Sequence, residues 1–331
     1  MWQSGRTTMC LAMTLLGGWL MTVAGPAAVC GANQPERRTI DGQRYMSVVS
    51  VAKRHGLGSN KSSSRRHAEY RTGTMSLSVP AERRDIQING VYHWLDRPIR
   101  DGFGALWVAE LDVRKTIEPV FSPQLSSARV PVRTIVLDPG HGGTDRGATG
   151  GSGRTERWFT LDLAKKVEQE LAGQKIKIVL TRRDDRTVSL ADRVALAKKN
   201  KADLFVSLHF NSGGSAHGIE TFCLTPAGAS STSSPQQRHK TTEPGNEYDA
   251  PNVWLAHCVQ HGLLSTVKAN DRGVRRARFL VLRDAPCPAV LIEAGFLSNP
   301  VEERKILDAV YRDELAKGIA AGIRRYVTVM K

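Results

Sequence analysis

Hydrophobic residues fall along this chain in three regimes. Cys10 to Val23 is apolar without a charge. From residue 38 to about 120, apolar and polar residues alternate over short stretches. From residue 130 onward, short solid apolar runs are separated by longer segments in which apolar residues recur every three or four positions. These patterns predict, in order, a targeting segment, half-buried strands, and strands alternating with amphipathic helices.

The middle regime (38–120) reads as a small β-rich module. Tyr45 to Ala52 is a strand running into a short helix, and Leu106 to Val113 repeats that logic about 60 residues later. Between them Ala68–Arg71, Thr74–Val79, Asp85–Gly90 and Val91–Leu95 read as strands, with Asn89-Gly90 marking a tight hairpin turn. This succession resembles the β-rich module at the N-terminus of copper amine oxidases and beside many cell-wall hydrolases, which implies a binding or spacer role. His55, His67 and His93 are scattered through it and form no metal or nucleophile motif. Phe121 to Pro131, rich in Ser and Pro, reads as a linker.

The third regime (132–331) predicts an α/β domain: an open, twisted, mainly parallel sheet of about six strands with helices on both faces. Strands are expected at Thr134–Asp138, Lys177–Thr181, Asp203–Leu208, Gly218–Leu224 (turning antiparallel), Phe279–Leu282 and Ala289–Glu293. Helices are expected at Arg157–Leu171, stopped by Gly173, and at Leu190–Lys199, capped by Ser189. Others follow at Asn252–Val267, after Asn299-Pro300, and over Tyr311–Tyr326. The polar Ser/Thr/Pro-rich stretch 226–250 reads as a long exposed loop bordering the substrate cleft.

Composition places the chain outside the cytoplasm. Arg6, the apolar run and the small residues Ala24 to Ala28 make residues 1–32 a signal peptide. The run is shorter than the roughly 20 residues a membrane helix needs. Cleavage near Ala28 or Ala32 and lipid attachment at Cys30 both stand as readings, although Val29 is a poor lipobox residue. The expected location is periplasmic or extracellular, with membrane contact only through the signal or that anchor.

The net charge of +15 is spread as an excess of six over residues 36–129 and eight over 130–331. Behind a signal peptide this points to anionic envelope polymers or headgroups, or to a generic basic surface, and not to nucleic acid. Of the five cysteines, Cys223, Cys258 and Cys287 remain after the signal region. They are too few and too scattered for a cysteine zinc site, and read as one disulfide or as small buried hydrophobes.

The chemistry gathers at the carboxyl ends of the strands, where ligands bind in open α/β sheets. The first strand ends in Asp138-Pro139-Gly140-His141-Gly142-Gly143, and the glycine-rich loop that follows ends at Glu156, opening a helix. The third ends in Ser207-Leu208-His209-Phe210-Asn211, and the last carries Glu293. Two histidines and a carboxylate with one open position form the ligand set of a catalytic zinc. A further carboxylate can move a proton from water to a leaving group.

TIVLDPGHGGTDRGATG, TERWFTLDLA, ADLFVSLHFNS and PAVLIEAGFLSN resemble blocks of the zinc-dependent N-acetylmuramoyl-L-alanine amidases, and the likeness runs over residues 132–326. It implies a six-stranded sheet, one Zn2+ held by His141, Glu156 and His209, and Glu293 as the catalytic residue. It also implies hydrolysis of the amide between N-acetylmuramic acid and L-alanine in peptidoglycan. Some relatives carry a helix that blocks the zinc until a partner removes it; 226–250 is a poor helix sequence, so no blocking helix and no required protein activator are expected. Arg182 and Arg193 match positions that brace the domain.

Overall fold

The protein is described by a computed structural model covering residues 36–59, 66–125 and 131–330. The expected signal peptide, with Arg6, Cys10 and Cys30, lies outside the described residues, as do residues 126–130 of the expected linker.

The N-terminal strands are β1 (Arg37–Ile40), β2 (Gln43–Ser47), β3 (Gly58–Ser59), β4 (His67–Thr72), β5 (Met75–Pro80), β6 (Asp85–Ile88), β7 (Val91–Trp94), β8 (Arg100–Gly102) and β9 (Ala105–Ala109). Short helices α1 (Val48–Arg54), α2 (Glu110–Asp112) and α3 (Glu118–Phe121) accompany them. The β6–β7 hairpin turns at Asn89 and Gly90, both at positive φ (50° and 80°), as Asn-Gly turns favour.

The second region begins with β10 (Thr134–Pro139), α4 (Glu156–Glu170), β11 (Lys177–Leu180), α5 (Leu190–Lys199), β12 (Leu204–Asn211) and β13 (Ile219–Leu224). It continues with α6 (Asp249–Thr266), β14 (Asp271–Ala277), α7 (Leu280–Arg283), β15 (Ala289–Phe296), α8 (Pro300–Leu307) and α9 (Ala309–Met330). The local causes are those read from sequence. Ser189 caps α5 by accepting from the Asp192 N–H, and Asn299 caps α8 ahead of Pro300.

One expected strand is wrong. Phe279–Leu282 is apolar enough for a strand, yet Leu280–Arg283 is a helical turn. The strand is instead the charged Asp271–Ala277, β14. Its arginines hid it from a hydrophobicity pattern, but the fold gives them partners: Arg272 and Arg275 donate to the buried Glu220, and Arg276 donates to the Leu224 and Lys115 carbonyls.

The main sheet runs β11-β10-β12-β15-β13-β14-β7-β6-β5-β4-β3. Its first four strands are parallel; β13 is antiparallel to β15, and β14 and β7 then run with β13. Six of the strands come from the second region. The others extend the same sheet through the β14–β7 pairing at Val274 and His93. Strands β1, β2, β9 and β8 form a separate small sheet. Pro35–Lys331 is a single compact unit, so the two sequence regions share one body.

Alternate residues of the strands feed two cores. Ile135 and Leu137 of β10 pack with α4, α6 and α9, while Val136, Phe205 and Leu291 pack with α5 and α7. Cys223, Cys258 and Cys287 are free thiols buried in these cores. No helix among the described residues is long and apolar enough to cross a membrane.

Candidate active site

His141 leaves the end of β10 at φ 60°, a left-handed conformation costly for a residue with a Cβ. The backbone around it is held from outside the loop. Arg182 donates to the carbonyls of Pro139 and Gly140, and Arg193 to those of Pro139 and His141. Arg193 also pairs with Asp138 at 2.7 Å, both fully buried, and Asp138 accepts further bonds from Thr181 and Ser207. Gly140 allows the strand end to touch the second histidine: a Cβ there would lie 2.2 Å from the His209 ring.

Glu156, the first residue of α4, is buried between the two histidines. Its Oε2 lies 3.0 Å from His141 Nε2, and its Oε1 lies 2.9 Å from His209 Nδ1. The backbone N–H groups of Ala148 and Phe210 donate to the same carboxylate. Burial alone would raise the Glu156 carboxyl, but the bonds and charges of His141 and His209 outweigh it and bring its pKa down to about 2. One donor atom from each of the three residues fits within a 4.8 Å span. Asp145 accepts from His141 Nδ1 at 2.9 Å, which turns Nε2 toward Glu156.

Glu293 lies beside this cluster. It is paired in register with His209 on one side and with Glu220 on the other. Glu220 is fully engaged by Asn211, Arg272 and Arg275, whereas Glu293 Oε2 is buried with no hydrogen-bond partner. Burial, then the nearby charges of Glu156 and Glu220, push the Glu293 carboxyl well above the usual carboxylate range. All four residues line one cleft of about 620 Å³, walled on its apolar side by Phe279 and Leu280.

The sequence of residues 135–325, more than half of the chain, matches the family model described as N-acetylmuramoyl-L-alanine amidase. The chain belongs to this amidase family. It is 33% identical over 219 residues to N-acetylmuramoyl-L-alanine amidase AmiA of Escherichia coli, covering 59% of this chain and 76% of that protein. A solved amidase from Clostridium difficile 630 superposes with a TM-score of 0.51 at 38% identity, over 60% of this chain and 98% of that one. AmiC2 of Nostoc punctiforme gives 0.51 at 30% identity, over 59% and 97%.

The amidase match begins at Ile135, after β1–β9. Within it, the four residues singled out in the sequence come together in one cleft. Asp145 was not singled out; its only sequence signal is an acidic residue four positions after His141. The 226–250 segment does not border the cleft as expected. Ser230 and Arg238 bond to Asp96, and Thr232 bonds to Arg276, so it packs over the junction with the N-terminal strands. His217, close to the second histidine in sequence, is exposed, and its ring bonds to the Ser215 carbonyl.

Proposed function

We propose that this cleft hydrolyses the amide between N-acetylmuramic acid and L-alanine in peptidoglycan, with His141, Glu156 and His209 as ligands of one Zn2+ and Glu293 as the catalytic carboxylate. The observation that carries the reading is the His–Glu–His cluster beside a carboxylate, Glu293, whose Oε2 is buried without a partner. The donor set fits the metal. Two nitrogens and a carboxylate are the zinc complement of hydrolases, and the 2.9 and 3.0 Å contacts are close to the roughly 3.3 Å that separates neighbouring ligands of a tetrahedral zinc. Asp145 fixes the His141 ring, as the outer partner of a metal-bound histidine does.

When bound, zinc supplies a Lewis acid that polarises the amide carbonyl and acidifies a water. The protein does the rest. Arg182 and Arg193 hold the His141 loop, and Glu156 is kept ionised by its two histidines. Glu293 takes a proton from the attacking water and returns it to the leaving nitrogen. A carboxyl with a raised pKa suits the second half of that task, because it holds the proton until the amine departs.

The reading extends to the cell envelope, periplasmic or extracellular, with residues 132–331 as the catalytic part and 1–32 as the signal. It includes action without a protein activator: between β13 and α6 the described chain forms turns and one 3-10 segment, Pro244–Tyr248. The test is digestion of purified muropeptides with parallel metal analysis. Peptides with new L-alanine N-termini and one zinc per chain are expected; cleavage only within the stem peptide, or activity in zinc-free protein, would sink the reading.

A further inference from the structure

The face of the sheet that carries the cleft does not stop at Glu293. In register across it lie Leu291, Phe222 and Arg275, on β15, β13 and β14. The Arg275 guanidinium stacks on Trp94 of β7 at 5.0 Å, which carries the row onto an N-terminal strand. His93 pairs with Val274 and turns toward α6, where it meets His257, so its neighbours Tyr92 and Trp94 point to the cleft side. Here a second cavity of about 440 Å³ opens, lined by Tyr92 and Trp94 from one region and Asp271, Arg272 and Arg275 from the other, with Arg83 at the rim.

The charges of this cavity are unevenly paired. Arg83 is neutralised by a two-bond pair with Asp85. Arg272 and Arg275 share a single carboxylate oxygen, Glu220 Oε2, each at 2.8 Å. Two guanidinium groups thus share one carboxylate oxygen, and they are set on the aromatic faces of Phe296 and Trp94. Arg275 Nε is buried with no hydrogen-bond partner. Asp271, another carboxylate of the lining, is bonded to neither arginine: its oxygens accept from the Tyr92 and Gly273 amides and from Gln260.

We infer that this seam cavity is a substrate subsite that takes a carboxylate of the stem peptide, so the N-terminal strands form one end of the substrate cleft. The inference rests on the amidase reading. A residue that protonates the leaving nitrogen stands on the leaving group's side. Glu293 stands on the β13 side of the His209 strand, so the departing peptide runs over β13 and β14 toward β7. Two to three strand spacings separate Glu293 from the cavity, roughly 10–14 Å. At about 3.4 Å per extended residue, the carboxylate received there belongs three to four residues beyond the scissile amide. Arginine suits it, because its planar fork binds carboxylates through paired bonds and is desolvated cheaply.

The test uses the full chain and three soluble substrates: a muramoyl tetrapeptide, the same peptide with its distal carboxylates amidated, and a muramoyl dipeptide too short to reach. Wild-type protein is expected to show a KM about tenfold lower for the acid form than for either control. Arg272→Met should erase that preference, raising KM for the acid form alone and leaving kcat within about twofold, the pattern of lost ground-state binding. Arg83→Ala, at an exposed rim position, leaves the Asp85 carboxylate unneutralised in the lining and should raise KM for the acid form more weakly by repulsion, which guards against a misfolded first variant. If Arg272→Met lowers kcat on all three substrates alike, its role is structural support of Glu220 and the subsite is overturned. The subsite is equally overturned if affinity tracks glycan length and not the distal carboxylate. Failure of wild-type protein to cleave any of the three would overturn the amidase reading itself, a distinguishable result.

Discussion

Glu293 is the residue whose environment is least comfortable. A buried carboxyl oxygen without a partner costs stability, and such costs concentrate where function requires them. Glu293→Gln should therefore cut kcat by roughly 10²–10⁴-fold while leaving the melting temperature of the metal-free protein unchanged or higher. The sign follows from the raised carboxyl. Its neutral form is the one the fold favours, so this contribution to wild-type stability is full below the ordinary carboxylate range and is lost as pH rises from there toward the raised value. The melting advantage of the Gln variant should be present at pH 7.5 and vanish near pH 4; a lower melting temperature at both would contradict it. Asp145 presents the opposite case, an exposed residue acting on the proposed metal through His141. Asp145→Ala should weaken zinc binding about 10–100-fold, read by titration against a chelator of known affinity.

At the scale of elements, the helices were legible where capping and periodicity agree, as in α5, whose Ser189 cap and Leu190–Lys199 span match the reading. Strand β14 was illegible because its stability comes from partners distant in sequence, above all Glu220, 52 residues before Arg272. The close crossing of α6 and α9 was equally silent in the sequence. A Cβ on Gly322 would lie 2.5 Å from the Val259 Cα and one on Gly262 2.4 Å from the Gly318 carbonyl, so backbone meets backbone at that crossing. Gly322→Ala should cost at least about 1–3 kcal/mol, seen as a lower denaturation midpoint. The buried Arg193–Asp138 pair ties α5 to β10 beneath His141. Arg193→Ala leaves Asp138 buried without that partner and should cost about 3–5 kcal/mol.

For the whole molecule, the consequential contact is the seam where β7 joins β14. His93 and His257 meet there, wholly buried, their Nε2 and Nδ1 atoms 3.0 Å apart. Burial first, and then nearby positive charge, pulls the His93 pKa down to about 3 and the His257 pKa well below the usual histidine value. Both are held neutral by the fold and take up protons when it opens. Their contribution is therefore intact above about pH 6.5 and is lost as pH falls from there toward 3, by an amount on the order of a few kcal/mol. Denaturant melts of the Glu293→Gln variant, which lacks the opposing carboxyl, should show a falling midpoint from pH 7.5 through 5.5 to 4.5, and a flat profile would count against a closed seam. Since the same seam lines the cavity next to the cleft, loosening it should also raise KM for long stem peptides.

What the sequence determined by itself was local chemistry and local shape: the alternation that makes strands, the caps that start helices, and three strand-end residues with one helix-opening glutamate whose types suit a zinc hydrolase. These are written in neighbouring residues, and neighbours suffice to express them. Only the tertiary structure decided that a 331-residue chain with two visibly different regions lays both into one sheet, that a charged segment is a strand, that Asp145 holds the His141 ring, and which carbonyls of the His141 loop Arg182 and Arg193 brace. Those outcomes depend on pairings between residues tens to hundreds of positions apart. Such pairings place charges and backbone groups opposite partners that no local pattern names.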